Sequence, residues 1–406
     1  WRNWSGRQTA TPSAVVRPED EAGFVEAVNR ARAEGWTIRA VGASHSHSRV
    51  AAPDGLLVDT DGWQGVEDGL VDGIARDPGP ATPLVDIRSG TRIHQLGEPL
   101  HRLGLGLINQ GDIDRQSVAG ATATGTHGTG PTLRNISSAV TAVRLVTADG
   151  EIVTTDASTE PELFEVARHS LGAVGLVTGL TMRTRERYRL YERQWIAEPD
   201  DVMPDIDRLT AATRHFEFFW APERDLCACK SLDELPADPD DGSAEGPIAE
   251  VEQLAKRERR GWSHQIISSI RDDLHTEMEY AVPAEAGPAC FAEIRALIGR
   301  DFPDLVWPVE YRTLAADDLL ISVARDRPTV TISVHQDISL DDRPLFSACE
   351  EVFLAHGGRP HWGKVHYRSG PELAELHAGY RRWWELRDRW DPTERFVTAD
   401  LAALRP

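Results

Sequence analysis

The chain is short of cysteine, of basic residues and of long apolar runs, and each shortage excludes something. Its four cysteines are Cys227, Cys229, Cys290 and Cys349. Cys227 and Cys229 make a lone Cys-x-Cys pair with no second pair at zinc-finger spacing, so neither a structural zinc nor a disulfide framework is expected. That usage fits a reducing, cytoplasmic setting. No apolar run reaches the roughly eighteen residues of a membrane span. The opening residues, Trp1-Arg2-Asn3-Trp4-Ser5-Gly6, hold no apolar stretch followed by a cleavage site, and no signal peptide is expected. Lys and Arg number 44 against 65 Asp and Glu, a net charge of −21, which argues against nucleic acid or an anionic membrane as partner. The apolar content is ample: 40% of residues are hydrophobic, with twelve Trp, and a length of 406 implies two or three domains.

Small polar residues gather in two places. In the first, the strand-like Trp36-Thr37-Ile38-Arg39-Ala40-Val41 stops in Gly42-Ala43-Ser44-His45-Ser46-His47-Ser48. Glycine lets a backbone approach a ligand closely, and small neighbours leave N–H groups free to point at an anion. One nucleophilic imidazole, His45, sits inside the run. A phosphate-bearing cofactor bonded to that ring is one reading, and a serine-rich turn with a surface histidine is the other. A His45/His47 metal site is not expected, because His-x-His has no carboxylate or cysteine nearby in sequence.

Around this loop, strands and helices alternate. Ala14-Val15-Val16 leads through Arg17-Pro18-Glu19-Asp20 into a helix with Phe24, Val25, Val28 and Ala31 at helical spacing. Strands are expected at 55–59 and 84–90, and a helix from Ile93 to Leu103, giving an α+β or α/β domain. The second small-residue stretch is Ser117-Val118-Ala119-Gly120-Ala121-Thr122-Ala123-Thr124-Gly125-Thr126-His127-Gly128-Thr129-Gly130. So much glycine and threonine is expected to form no packed helix and to wrap a polar ligand with its backbone. It matches neither the Walker pattern nor Gly-x-Gly-x-x-Gly of a βαβ unit.

The Gly42-x-x-His45-Ser46 loop, the Ser117–Gly130 loop and Leu171-Gly172-Ala173-Val174-Gly175-Leu176-Val177 follow one another as in the vanillyl-alcohol-oxidase-type (PCMH-type) FAD-binding flavoproteins. Within them the chain most resembles the sugar-oxidising branch of alditol oxidases and L-gulono- and D-arabinono-1,4-lactone oxidases. The resemblance implies an α+β fold: a two-subdomain FAD-binding domain at 1–184, a substrate cap with an antiparallel helix-covered sheet at 185–364, and a return to the FAD domain at 365–406. It implies FAD bound covalently through His45. Around it would stand Val41, Gly42, Ala43, Ser44, Ser46, His47, Ser117, Gly120, Thr122, Thr124, Gly125, Thr126, His127, Gly128, Gly175, Val177 and, from the Pro360-His361-Trp362-Gly363-Lys364 motif, His361.

The second half supplies the chemistry. His215-Phe216-Glu217-Phe218-Phe219-Trp220 alternates as a strand. Pro236 to Gly246 reads as a mobile acidic loop, and Lys256-Arg257-Glu258-Arg259-Arg260 as a solvated helix face. In Trp307-Pro308-Val309-Glu310-Tyr311-Arg312-Thr313, Glu310 and Arg312 share one face of a strand, either as a ligand-binding pair or as a cross-strand ion pair. Thr331, Ser333 and His335 share a face of the next strand. A long helix with Tyr380, Trp383 and Leu386 on its core side is expected after Lys364.

Oxidising an alcohol needs a cation near the developing negative charge, for which Arg312 and Lys364 are candidates. Polar grips on hydroxyls fall to Ser117, Ser333 and Glu310, with Arg312 and Lys364 beside them. The proton acceptor is a lysine or His335. No metal is expected. Alditol oxidases carry histidine and then threonine where this chain has Ser333 and His335, so the substrate class widens to a polyol, a sugar lactone or another sugar-derived molecule. The electron acceptor is O2, giving hydrogen peroxide, or another acceptor as in a dehydrogenase. A flavin-binding module without turnover is the reading outside enzymes.

Overall fold

The computed structural model describes residues 1–66, 82–236, 251–269 and 273–406. Apart from Pro236, the acidic stretch up to Gly246 lies outside them. Among the described residues no helix is long and apolar enough to cross a membrane.

Among the described residues, two small sheets carry most of the first domain. Ala14–Val16, Leu56–Asp59 and Ile38–Val41 form a parallel sheet with Leu56–Asp59 in the middle. The helix Glu21–Glu34 packs Phe24, Ala27, Val28 and Ala31 onto it, with Asp20 capping its start and Gly35 in the left-handed conformation closing its end. Leu84–Arg88, Leu176–Arg183, Val140–Val146 and Ile152–Asp156 form an antiparallel sheet in that order. The helix Ile93–Arg102 joins its core through Ile93, Leu96 and Leu100.

Among the described residues the cap is one nine-stranded antiparallel sheet. Its central strands run Leu226–Glu234, His215–Ala221, Val309–Leu314, Thr329–Asp337, His275–Pro283. Side chains alternate across a strand, and this sheet uses both faces. One face carries Phe218, Tyr311, Ile332 and Tyr280 in register and packs on the helices Gly287–Asp301 and Arg343–Ala355. The other carries Glu217, Glu310, Arg312, Ser333, His335, Glu277 and Glu279, all buried as well. Burying so many charges demands that each find a partner.

After the cap the chain returns to the first domain, where Trp362, Tyr380, Trp383 and Leu386 share a core with Leu96, Val118 and Leu163. Leu320 and Ile321, which fall inside the expected cap range, join that core too. Trp362 stacks on Tyr380 at 5.7 Å. All four cysteines are buried and free.

Three sequence expectations are corrected. The Ser117–Gly130 stretch does contain a helix, Val118–Thr124, which Ser117 caps by accepting from the Gly120 N–H and which Gly125 ends with φ +73°. Alanine and the two caps outweigh the weak propensity of glycine and threonine over so short a span. Lys256–Arg260 is no helix but the turn and second strand of a hairpin, Glu252–Ala255 and Glu258–Trp262. Arg259 there bonds the buried Glu192 at 2.8 Å. The single long helix after Lys364 is two, Gly370–Leu376 and Tyr380–Trp390.

Several histidines fold in neutral. Burial pushes His169 down to about 3 and His366 to about 4, and holds His377 well below its ordinary value. In the unfolded chain each would titrate near ~6.5. Below that pH the unfolded state binds more protons, so the histidine contribution is intact above ~6.5 and drains as pH falls toward the folded values. Thermal melts should show the melting temperature steady above about pH 7 and falling steeply between about pH 6.5 and 4; a level profile across that window would contradict the assignment.

Candidate active site

Three backbone segments from the first domain meet the polar face of the cap sheet around one cavity. It holds about 1480 Å³ of empty space, solvent at its mouth included.

The first wall is the loop after Ile38–Val41. A Cβ on Gly42 would stand 2.2 Å from Ser117 Oγ, so only glycine lets the two loops touch. Ser44 takes a left-handed φ of 58°. The Trp4 N–H donates to its carbonyl at 2.7 Å and Trp1 Nε1 to its hydroxyl at 2.9 Å. Further on, the His47 N–H donates to the Gly363 carbonyl at 2.7 Å and Ser48 Oγ to the Trp362 carbonyl at 2.8 Å. The kinked loop is thus pinned from both sides. His45 lies on the cavity wall, stacked on Trp4 at 5.3 Å. Burial, with help from Lys364 and Arg92, pushes it down to about 4, so the ring is neutral.

The second wall is Ser117 through His127. His127 bonds the Gly128 carbonyl through Nδ1 at 2.8 Å and Glu279 through Nε2 at 2.9 Å. The third is the Leu171-Gly172 turn with Gly175 and Val177, where the buried Arg39 donates to the Leu171 carbonyl at 2.6 Å.

The cap contributes charge. Glu279 accepts from Ser333 Oγ at 2.7 Å, from His127 and from Arg312, whose guanidinium also pairs with Glu310 at 3.2 Å. Burial would raise the Glu279 carboxyl, but Arg312 and His127 hold it well below the usual carboxylate range. Glu277 bonds Lys364, while His47, His275 and His335 each stand 3.7 Å from its oxygens. Burial opposes its charge as well, and Lys364 and His335 outweigh it, leaving it ionised. His335 Nδ1 donates to the Pro308 carbonyl at 2.7 Å. A carbonyl only accepts, so the Nδ1 proton is fixed and Nε2 keeps its lone pair. Burial pulls His335 and His361 down to about 4. Farther along the face, Lys230 bridges Asp112 at 3.1 Å and Glu217 at 3.0 Å.

Most residues singled out in the sequence line this cavity: Val41 to Ser46, Ser117, Gly120, Thr124, Thr126, His127, Gly175, Val177, Glu310, Arg312, His335, His361 and Lys364. Others turn away. Thr122 spends its hydroxyl on the Val118 carbonyl inside its own helix. Gly125 is a helix end packed near His169, and Gly128 packs on the Gln110 carbonyl. His47 points into the cap toward Glu277, and Ser333 points at Glu279 rather than into the cavity. Glu277, Glu279, His275, Asp112 and Arg39 line the cavity too and were not singled out. Glu277-Met278-Glu279-Tyr280 alternates charged and apolar side chains as the Glu310 strand does, and that period carried the missed signal.

Comparison with known proteins identifies the family. The family described as FAD binding domain matches residues 12–156, and the family D-arabinono-1,4-lactone oxidase matches residues 248–403. A protein of Mycobacterium tuberculosis named L-gulono-1,4-lactone dehydrogenase is 34% identical, over 98% of this chain and 97% of its own. Mouse L-gulonolactone oxidase is 24% identical over 99% and 97%. Among solved structures, a solvent-stable cholesterol oxidase superposes with a TM-score of 0.82 at 16% identity, covering 100% of this chain and 97% of its own, which speaks to fold alone. The chain belongs to the aldonolactone oxidase and dehydrogenase family of PCMH-type FAD-binding proteins.

Proposed function

We propose that this protein is an FAD-dependent oxidoreductase that oxidises a CH–OH group of a sugar lactone or closely related sugar derivative. The observation that carries the proposal is the convergence of Glu310, Arg312, Glu279 and Lys364 on the cavity that the two glycine-rich loops enclose. The residues suit a flavin dinucleotide: the cavity's first-domain walls are rich in small residues, and Gln116 in its lining keeps a buried Oε1 with no partner among the described residues. When bound, FAD supplies the acceptor for the hydride leaving the carbinol carbon.

The chain's own residues do the rest. Arg312 and Lys364 supply positive charge for the oxygen that becomes negative as the carbinol is oxidised. Arg312 stays charged, because Glu310 and Glu279 outweigh the cost of its burial. Glu310 accepts hydrogen bonds from substrate hydroxyls, and Glu279 with Ser333 holds Arg312 in place. His335 Nε2, with its lone pair free and Nδ1 anchored on Pro308, takes the hydroxyl proton. Lys364, held by Glu277, keeps its other protons for the substrate. His45, neutral and on the cavity wall, is the attachment point of a covalent flavin. The first domain at 1–184 serves the cofactor and the cap at 185–364 the substrate.

A relative 34% identical bears the name of a dehydrogenase, which favours a non-oxygen acceptor as second reading beside the oxidase. Peroxide formed in stoichiometry with product under air would select the oxidase.

The test is an anaerobic screen of aldonolactones and alditols for bleaching of the flavin; failure of every lactone would reject the proposal. Glu310→Gln should lower kcat/KM on the best substrate by about 10- to 100-fold, matching the ~1.5–3 kcal/mol of a hydrogen bond to a charged group. An unaltered rate would leave Glu310 as a mere sheet-face ion pair. Acid precipitation of the wild-type protein should bring down yellow flavin with the pellet. His45→Ala should release it to the supernatant, and free flavin from the wild type would refute the covalent bond.

A further inference from the structure

We propose that His47 Nε2, His275 Nε2 and Glu277 Oε2 form a binding site for one divalent transition-metal ion of the zinc class.

The three residues come from different parts of the chain: His47 from the first-domain loop, His275 and Glu277 from alternate positions of one cap strand. Each histidine places Nε2 3.7 Å from the same carboxylate oxygen, and the three ligand atoms lie within 4.8 Å of one another. An ion about 2.0–2.1 Å from its donors holds them roughly 3.3–4 Å apart. At 3.7 Å, longer than an ordinary hydrogen bond, the imidazoles stand at the right separation to share a cation with the carboxylate.

The protons point the same way. His275 Nδ1 bonds the Asp273 carbonyl at 3.0 Å. A carbonyl only accepts, so Nδ1 carries the proton and Nε2 can turn a lone pair toward Glu277. Histidine ligands of metals are commonly fixed in this way, by an Nδ1–H to a backbone carbonyl. His47 makes no side-chain hydrogen bond among the described residues: Nδ1 is unpartnered and Nε2 faces the carboxylate. What Nε2 faces is the carboxylate oxygen at 3.7 Å, and a cation between the two would give both a partner.

The surroundings fit a metal as well. All three side chains are at most 6% exposed. The Trp4 ring stands edge-on to both imidazoles, at 6.2 Å from His47 and 5.1 Å from His275, and Trp307 lies 5.1 Å from His275. Such an apolar shell limits water. His275 and Glu277 also line the large cavity, which leaves an open side for a fourth ligand. In sequence, His47 had no carboxylate near it; the cap strand brings one.

Glu277 Oε2 also holds the Lys364 ammonium. Ion and ammonium therefore compete for one oxygen, and that gives the site a signature independent of the flavin chemistry. Calorimetric titration of the full-length flavin-loaded protein with Zn²⁺ should give one equivalent bound per chain. His275→Gln and His47→Gln, with flavin absorbance and melting curve checked against wild type, should each weaken binding at least tenfold. Lys364→Met, which removes the competitor, should tighten it at least tenfold, and a surface site elsewhere would not respond. No heat of binding in the wild type, equal affinity in the histidine variants, or unchanged or weaker binding in Lys364→Met would each overturn the proposal. Should Lys364→Met bind Zn²⁺ more tightly while no lactone bleaches the flavin of the wild-type protein, the metal site stands and only the assigned reaction fails.

Discussion

Two carboxylates buried on one strand, Glu277 and Glu279, set the terms for everything around them. A charge taken out of water costs several kcal/mol unless other groups replace the lost hydration. Here the replacements come from all over the chain. Glu279 draws on His127 of the second glycine-rich loop, on Arg312 and on Ser333 of neighbouring strands. Glu277 draws on Lys364 where the chain returns to the first domain. The first domain adds His127 to Glu279 and sets His47 3.7 Å from Glu277, so the two acids tie the cap to the cofactor loops.

The sheet that carries them resolves a conflict between stability and polarity. Its outer face is an aromatic and aliphatic layer: Phe218 stacks on Tyr311 at 4.9 Å and Tyr280 on Phe353 at 5.2 Å, under two amphipathic helices. That layer fixes strand register, and register with period two decides which side chains face inward. A slip of one residue would put Tyr311 in the cavity and bury Glu310 and Arg312 among hydrocarbons. Apolar packing on one side thus aims charged groups on the other, and a rigid strand is a better mount for a reacting group than a loop.

Local patterns carried much of this in the open. The paired faces of Glu310 with Arg312 and of Ser333 with His335 followed from alternation, and the sheet sets Glu310 directly opposite Ser333. The small-residue loops around His45 and His127 were visible as composition. Less visible was what each polar side chain would meet. Ser333 has the same alternation as His335, but Glu279 across the strand takes its hydroxyl. Thr122 and Thr124 look alike in sequence; the turn of a short helix sends one to the cavity wall and the other into the interior. Lys256–Arg260 had the charge of a solvated helix but lies in a hairpin, because pairing with the Arg189–Ala197 strand gives Arg259 the buried Glu192 as partner.

The sequence alone determined the alternation of strands and helices, the two small-residue loops and the faces along which polar side chains align, because these depend on periodicity and on neighbours a few residues away. The α+β class and the order of cofactor loops and cap came through the family resemblance that its motifs carry. Only the tertiary structure decided which charges would meet. Lys364 is 87 residues from Glu277, and His127 is 152 from Glu279. Pairings over such separations arise from the return of the chain across the cap sheet and from the docking of the first domain on it, and no local stretch of residues records them.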